Sequence, residues 1–505
     1  MSSPKDLRTI ATIPELIHLT PEARLVLDSL RAAGGRPLIV GGSVRDALLS
    51  RASGALVDSK DIDIEVYGLT TAQVSAALPG HVMEVGQHFG IVSATVDDQV
   101  FDVSLPRQAS ETEAFARRDF TINAMGWDDL SGKVVDPFGG EADLQAGILR
   151  HTSAAFGDDP LRVLRAMQFS GRFGFELVPE TAELCRSLAP AFVDLPKARI
   201  WGEFYKLASK GTFISKALET LFASGWEGHF PELAAARGVP QDPEWHPEGE
   251  VHIHLGLAGD QAARIARRDN LGADETAALV LAAITHDFGK AVSTTIDPNG
   301  RITSNGHNVT GVAPARSFLR RVGAPGRYED KVLPLVREHM CHTPEGRQGT
   351  ISDSAVRRLM RRLDQANGGP SMKDWVRLVE ADKEGRGAGA RQGVNHLPTW
   401  LAKAERLAKE PVVGTTLLKG ASLAAAYIPR GRLWQFVIEQ SRDAQDDGLF
   451  SDEVGAAAWL HANRDVVVAE ALRRLDKFQT TEKGKKAMRE MRRGKQRGVT
   501  ATGRV

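Results

Sequence analysis

The stretch Lys60-Asp61-Ile62-Asp63-Ile64-Glu65-Val66 alternates polar and apolar residues without a break. Side chains on a strand repeat every second position, so Asp61, Asp63 and Glu65 share one face and Ile62, Ile64 and Val66 the other. Neighbouring carboxylates repel unless a cation lies between them. Mg²⁺ is the natural occupant, because it takes carboxylate oxygens together with substrate phosphates. A solvated polar strand face is the plainer alternative. Val100-Phe101-Asp102-Val103-Ser104 repeats the alternation and turns Asp102 away from the apolar side. Upstream, Leu38-Ile39-Val40 reads as a buried strand entering Gly41-Gly42-Ser43 and then the helical spacing of Val44–Leu49. Two glycines let backbone approach a ligand, and a helix start offers free N–H groups to phosphate. Such carboxylates beside a phosphate turn suit two-metal nucleotidyl transfer. One ion lowers the pKa of the attacking hydroxyl and the other steadies the departing pyrophosphate.

A second constellation is rich in histidine. Ala282-Ala283-Ile284-Thr285-His286-Asp287 is an apolar helix ending in adjacent His and Asp. His252 and His254 lie upstream; His307, His339, His342 and then Asp382 follow downstream. Neutral imidazoles and carboxylates together suit Mn, Fe, Ni, Co or Mg. A lone histidine is more often an ordinary core or surface residue, but recurrence around a His-Asp pair points to a metal.

These groups must be positioned by more than one core. A chain of 505 residues divides into two to four domains. Its 42% hydrophobic and 25% charged residues are ordinary for a globular protein. Zero formal net charge leaves nucleic-acid binding to local basic surface. Two distant cysteines, Cys185 and Cys341, argue against a disulfide framework or a thiolate zinc site and fit a reducing cytoplasm. No apolar run reaches the ~18 residues of a membrane span, and no signal peptide is evident.

The periodicity divides the chain as follows. Residues 1–34 read as a helical lead-in. Residues 35–150 mix helices with β-rich runs at Pro37–Val40, Ile62–Val66, Ile91–Val96 and Val100–Val103. Residues 151–238 are helical, and Val239–Pro247 is a Pro-rich linker. Residues 239–390 carry the histidines and end in the Gly/Arg-rich break Gly385–Gly393. Residues 391–472 are helical, and 473–505 form a basic, partly disordered tail. The expected class is α+β: a small mixed-sheet head followed by all-helical neck, histidine-rich and tail regions.

Gly41-Gly42-Ser43-Val44-Arg45-Asp46 followed by Asp61-Ile62-Asp63 resembles the head of the class II tRNA nucleotidyltransferase and bacterial poly(A) polymerase family. Arg117-Arg118-Asp119-Phe120-Thr121-Ile122-Asn123-Ala124-Met125, Asp136-Pro137-Phe138-Gly139-Gly140 and Leu149-Arg150-His151 continue the match in order. The resemblance implies catalytic Asp61, Asp63 and Asp102, with Mg²⁺ on Asp61 and Asp63. It implies nucleotide contacts from Gly41, Gly42, Ser43, Arg45, Arg118 and Asn123. Asp158-Asp159-Pro160-Leu161-Arg162-Val163-Leu164-Arg165 resembles the family's EDxxR segment. There Asp159 and Arg162, with Arg165, would present a Watson–Crick-like edge to CTP or ATP, so that protein rather than template chooses the base. Asp158 replaces the family's Glu. Only Val103–Ala116 separates Asp102 from Arg117, where the family usually carries a longer loop; a short loop resembles enzymes that add only CC.

The order H…HD…D resembles the HD phosphohydrolase superfamily. It implies His254, His286, Asp287 and Asp382 as ligands of a divalent transition metal or Mg²⁺. His254 is preferred over His252 because His246-Pro247-Glu248-Gly249-Glu250-Val251 resembles the family's lead-in. His307, His339 and His342 would be further ligands or phosphate contacts. In some CCA-adding enzymes such a domain is linked to 2′,3′-cyclic phosphodiesterase, 2′-nucleotidase and phosphatase activity.

The expected partners are CTP, ATP and a tRNA acceptor end, without a membrane; no protein partner is legible. Arg162, Arg165, Arg172, Arg199, Lys206 and Lys210 would track the RNA backbone. The expected activity is CCA addition with a second phosphohydrolase site. CC or poly(A) addition, and a hydrolase with a non-catalytic RNA-binding head, are the alternatives.

Overall fold

A computed structural model of the protein describes residues 17–53, 62–85, 90–106, 110–342, 351–391, 393–409 and 416–480. Asp61, residues 1–16 of the lead-in and residues 481–505 of the basic tail lie outside these residues. The chain forms two compact units. The first runs to Glu329 and takes in Ala381–Ala390; the second comprises Asp330–Glu380 and the chain from Arg391 onward. The division cuts through the expected 239–390 segment, because its last turn, with Asp382, returns to the first unit.

The head is a seven-stranded mixed sheet in the order β3-β4-β5-β2-β1-β6-β7. Its strands are β1 (Arg36–Val40), β2 (Asp63–Tyr67), β3 (His81–Val85), β4 (Ile91–Val96), β5 (Gln99–Ser104), β6 (Gly126–Asp128) and β7 (Lys133–Val135). The four β-rich runs of the sequence are β1, β2, β4 and β5. β6 and β7 escape the periodicity because each spans three residues, and β3 because Val82-Met83-Glu84 breaks its alternation. β2 and β5 pair in parallel, and the remaining neighbours are antiparallel. Leu38, Ile39, Val40, Ile64 and Val66 are buried, and on β5 Phe101 and Val103 are buried on either side of exposed Asp102, which fixes register there: a one-residue slip would bury Asp102 and expose both apolar residues.

Among the described residues five α-helices accompany the sheet: α1 (Pro21–Ala32), α2 (Gly42–Ser53), α3 (Thr71–Ala77), α4 (Glu111–Phe115) and α5 (Gly140–Ala146). Thr20 caps α1 by accepting from the Ala23 N–H, with Pro21 in the first turn. α6 (Arg162–Phe173) then begins the helical neck. It buries Val163, Leu164, Met167 and Phe169 and packs against the helices Lys197–Lys210 and Ile214–Ala223. Ser215 donates from both N–H and hydroxyl to Asp260, tying this neck to the helix Val251–Arg268. Trp226 is fully buried against Phe192 and His229, and its indole N–H donates to the Cys185 carbonyl at 2.9 Å.

The Pro-rich segment expected as a linker has no regular element, yet Gln241 and His246 within it are buried. A short hairpin, Thr295–Ile296 with Ile302–Thr303, interrupts the helices. In the second unit the helices Arg432–Asp446 and Glu453–Thr480 pack around Leu423, Val437, Leu460 and Val467. The last helix reaches Thr480, so the start of the expected disordered tail is ordered. Among the described residues no helix is long and apolar enough to cross a membrane.

Trp226→Phe keeps an aromatic ring but removes one of the two donors to the Cys185 carbonyl, which keeps the Leu188 N–H. It is expected to lower stability by about 0.5–1.5 kcal/mol, read as a shift in the urea midpoint at unchanged m-value.

Candidate functional site

The head site grows from strand register. Asp63 stands opposite Asp102 across the parallel β2–β5 pair and opposite Val40 across β1–β2. Both aspartates are exposed and alternate with buried apolar neighbours, so their carboxylates open on the same face. Gly41 follows Val40 directly, with φ +74, a conformation that favours glycine. A Cβ there would sit 2.8 Å from an Arg118 guanidinium nitrogen and 3.8 Å from an Asp63 carboxylate oxygen. The Gly-Gly turn, Asp63, Asp102 and Arg118 therefore converge on one spot. Two adjacent, solvent-open carboxylates are a donor set that suits Mg²⁺.

Glu65 shares the expected face but has another role. It is buried, and its carboxylate accepts from Arg118 at 2.9 Å and from the Tyr67 hydroxyl at 2.9 Å. Burial and the Glu65 charge push the Tyr67 hydroxyl far above its ordinary pKa. Glu65 thus anchors Arg118, which also lies over the Phe115 ring.

A second relay holds Arg45 and Asn123. The Arg45 guanidinium donates to Asn123 Oδ1 at 2.6 Å and to Asp46, and it stacks on Phe169 and Phe173 of α6. Asn123 Nδ2 donates to buried Asp119 at 2.9 Å, and Asp119 also accepts from the Phe120 N–H and from Arg165. Burial opposes the Asp119 charge, but Arg165, Asn123 and the Phe120 N–H outweigh it and hold its pKa below the carboxylate range. Arg165 is therefore committed to the joint between head and neck, not to an outward phosphate track.

The other base-reading candidates differ from expectation too. α6 starts at Arg162, and Asp159 precedes it in extended conformation. They do not share a helical face. Asp159 accepts from Arg199 at 2.7 Å and from the Leu161 N–H, while Arg162 donates to the Ala155 and Arg117 carbonyls. Of the expected RNA track, Arg199 is paired with Asp159, Lys206 with Glu203, and Arg172 lies over Phe173; Lys210 remains exposed. Ser43 is buried at the start of α2.

The histidine cluster is buried in the first unit. His254 Nε2 faces Asp382 at 3.2 Å and Asp287 at 3.7 Å; His286 Nε2 faces Asp287 at 3.3 Å and Asp382 at 3.8 Å. His307 Nε2 lies 3.1 Å from the other Asp287 oxygen. The far side of each ring is occupied. His254 Nδ1 meets Glu248 at 2.7 Å, His286 Nδ1 the Ala283 carbonyl at 2.7 Å, and His307 Nδ1 the Ser304 carbonyl at 2.6 Å. An N–H donated outward turns the Nε2 lone pair inward, the tautomer a metal needs. The inward atoms of His254, His286 and Asp287 lie within 4.8 Å of one another. His252 points elsewhere: it pairs with Glu250 and packs on Phe222.

Two cations border the cluster. Lys290 Nζ is 2.6 Å from Asp287, and Arg386 donates to both Asp382 oxygens at 2.8 and 2.9 Å. Burial opposes both carboxylate charges, but His286 and Lys290 around Asp287, and Arg386 and the imidazoles around Asp382, hold them well below the ordinary range. Burial pushes His246 down to about 4, while bonds from His246 and His254 outweigh burial and hold Glu248 at about 2. Gly289 allows the His-Asp turn to approach the His307 helix, since a Cβ there would meet the His307 carbonyl at 2.0 Å. His339 and His342 belong to the second unit, where their Nδ1 atoms meet the Val336 and His339 carbonyls.

Sequence reading missed the supporting groups: Glu65 as the anchor of Arg118, Asp119, Gln241, Lys290 and the Glu248–His246 pair. Lys290 had a local signal, four residues after His286. Glu65, Asp119 and Gln241 depend on partners 53, 46 and 49 positions away, whereas His246 and Glu248 lie two positions apart inside the segment expected as a linker.

Residues 38–150 match the family model described as the poly(A) polymerase head domain. Residues 174–237 match the probable RNA and SrmB binding site of polymerase A. The chain is 34% identical over 372 residues to a multifunctional CCA protein of Xanthomonas campestris, covering 69% of this chain and 85% of that protein. It is 32% identical over 421 residues to one of Xylella fastidiosa, covering 77% and 95%. Its fold resembles that of the Thermotoga maritima CCA-adding enzyme solved with tRNA (TM-score 0.53, 20% identity, 92% of this chain and 98% of that one). It also resembles the Bacillus stearothermophilus CCA-adding enzyme solved with CTP (TM-score 0.52, 21% identity, 89% and 99%). The chain belongs to the family of CCA-adding tRNA nucleotidyltransferases and poly(A) polymerases.

Glu65→Gln weakens the anchor of Arg118 while sparing Asp63 and Asp102. The KM for CTP is expected to rise roughly tenfold, about 1.4 kcal/mol, with a smaller change in turnover. For the histidine cluster, metal content after dialysis against Mn²⁺ is the readout. His254→Ala should lose the ion, Glu248→Gln should bind it roughly 10–100-fold more weakly, and His252→Ala should match the parent protein.

Proposed function

We propose that the protein extends tRNA 3′ ends to CCA from CTP and ATP without a nucleic-acid template. The observation that carries this reading is the pairing of Asp63 with Asp102 beside the Gly41 turn and Arg118. Asp63 and Asp102, with Asp61, would hold Mg²⁺, which when bound supplies acidification of the RNA 3′-hydroxyl and charge neutralisation at the α-phosphate and pyrophosphate. The chain's own groups do the rest. Backbone N–H groups at the start of α2, with Arg118 and Arg45, grip the triphosphate, and Asn123 orients Arg45. Asp159 and Arg162 offer acceptors and donors to the base edge, a geometry that a carboxylate and a guanidinium fit. Their present partners, Arg199 and two carbonyls, keep them ordered until a base arrives.

The short Val103–Ala116 stretch, which holds α4, favours CC addition as the second reading. The likeness to multifunctional CCA proteins over most of their length favours the complete CCA product.

The histidine cluster is read as a separate phosphohydrolase site. His254, His286, Asp287 and Asp382 would hold a divalent ion, with His307 beside them, and Lys290 and Arg386 would meet the negative charge of a phosphoester. 2′,3′-Cyclic phosphates, 2′-nucleotides and simple phosphomonoesters are the substrates to test.

Asp63→Ala and Asp102→Ala should each reduce nucleotide incorporation into tRNA to background with an unchanged thermal melt. They should leave any phosphoester hydrolysis intact, and Asp287→Ala should show the reverse pattern. Normal extension by Asp63→Ala would refute the assignment.

A further inference from the structure

The second unit contains a half-open basin of about 560 Å³. Its wall is almost entirely arginine: Arg358, Arg361 and Arg362 from the helix Asp353–Leu363, Arg442 from Arg432–Asp446, Arg474 from Glu453–Thr480, and Arg337. Only Glu439 and Asp443 oppose these six guanidinium groups in the wall. Like charges gathered in a concavity raise the local potential more than the same charges on a convex surface. Such a gathering opposes folding unless something offsets it.

Internal pairing offsets part of it. Arg358 pairs with Asp443 at 3.2 Å, Arg362 with Glu338 at 3.1 Å, Arg474 with Glu470 at 3.0 Å, and Arg361 with Asp446. These bonds hold the arginines along the wall without cancelling their excess. Arg442 is half-buried in the same wall and has no ion-pair partner among the described residues.

The composition narrows the ligand. Guanidinium forks match phosphate oxygens two at a time, whereas lysine, absent from this wall, acts as a point charge. Among the described residues no aromatic ring lines the basin, so they offer no platform on which to stack a base. Its volume suits a group larger than a single phosphate. We infer that this basin binds closely spaced phosphates, read by charge and not by base. Either a phosphodiester backbone or a free polyphosphate carries that chemistry. The inference stands on the basin alone and does not depend on nucleotidyl transfer by the head.

The full-length protein is compared with Arg442→Glu, a reversal that breaks no ion pair. Binding of labelled tRNA lacking its CCA end is followed by anisotropy at several salt concentrations, and binding of inorganic triphosphate by calorimetry. A roughly tenfold loss of tRNA affinity, with the salt slope reduced by about one and triphosphate binding unchanged, identifies an RNA backbone. Loss of one triphosphate site with tRNA binding unchanged identifies a free polyphosphate. Unchanged binding of both to a folded variant overturns the inference. Should the reversal impair folding, Arg442→Gln removes the charge alone and is judged by the same readouts. The turnover rate of nucleotide addition at saturating tRNA should stay at the parent value, so failure here is distinct from failure of the transferase reading.

Discussion

The buried carboxylate of Asp119 is the constraint around which the first unit is organised. Out of water, a carboxylate is stable only if its oxygens are satisfied and its charge is matched. Asp119 meets both conditions through Asn123, the Phe120 N–H and Arg165. Arg165 comes from α6, so this carboxylate joins head to neck. Asn123 passes the order on to Arg45, which the α6 rings Phe169 and Phe173 support from beneath. A lone charge at either end would be costly, so the whole series persists or fails together. The relay thereby keeps Arg45, Asn123 and Arg165 at fixed distances from one another.

The head carboxylates and the histidine cluster handle negative charge in opposite ways. In the head, Asp63 and Asp102 stay exposed, so their repulsion is softened by water until an ion arrives. In the histidine cluster Asp287 and Asp382 are buried, and Lys290 and Arg386 stand beside them permanently. An open carboxylate pair suits a site that exchanges nucleotides and RNA ends repeatedly. A buried, pre-paired cluster suits a resident ion. In each case an outer carboxylate holds an inner group: Glu65 holds Arg118, and Glu248 holds His254.

Features that repeat locally were legible in the sequence. Strict alternation located β2 and β5 and showed which face Asp63 and Asp102 share. The Gly-Gly turn and the His-Asp pair stood out because glycine and histidine are unusual inside apolar runs. Features made by distant pairing were not legible. Glu65 and Arg118 lie 53 positions apart, and nothing around either announces the other. Arg165 has helical surface spacing but is drawn inward by Asp119, which no periodicity reveals. The Pro-rich segment looked like a linker because its backbone is irregular, although Gln241 and His246 reach the histidine cluster. The place of Arg358, Arg361 and Arg362 in a basin depends on helices about a hundred residues later in the chain.

The most direct measurement is the extension of three tRNA transcripts, ending before CCA, after C and after CC, with Mg²⁺, CTP and ATP. The account predicts that all three converge on a CCA end and stop there. Arrest at CC, continued addition of A, or no extension at all would contradict it.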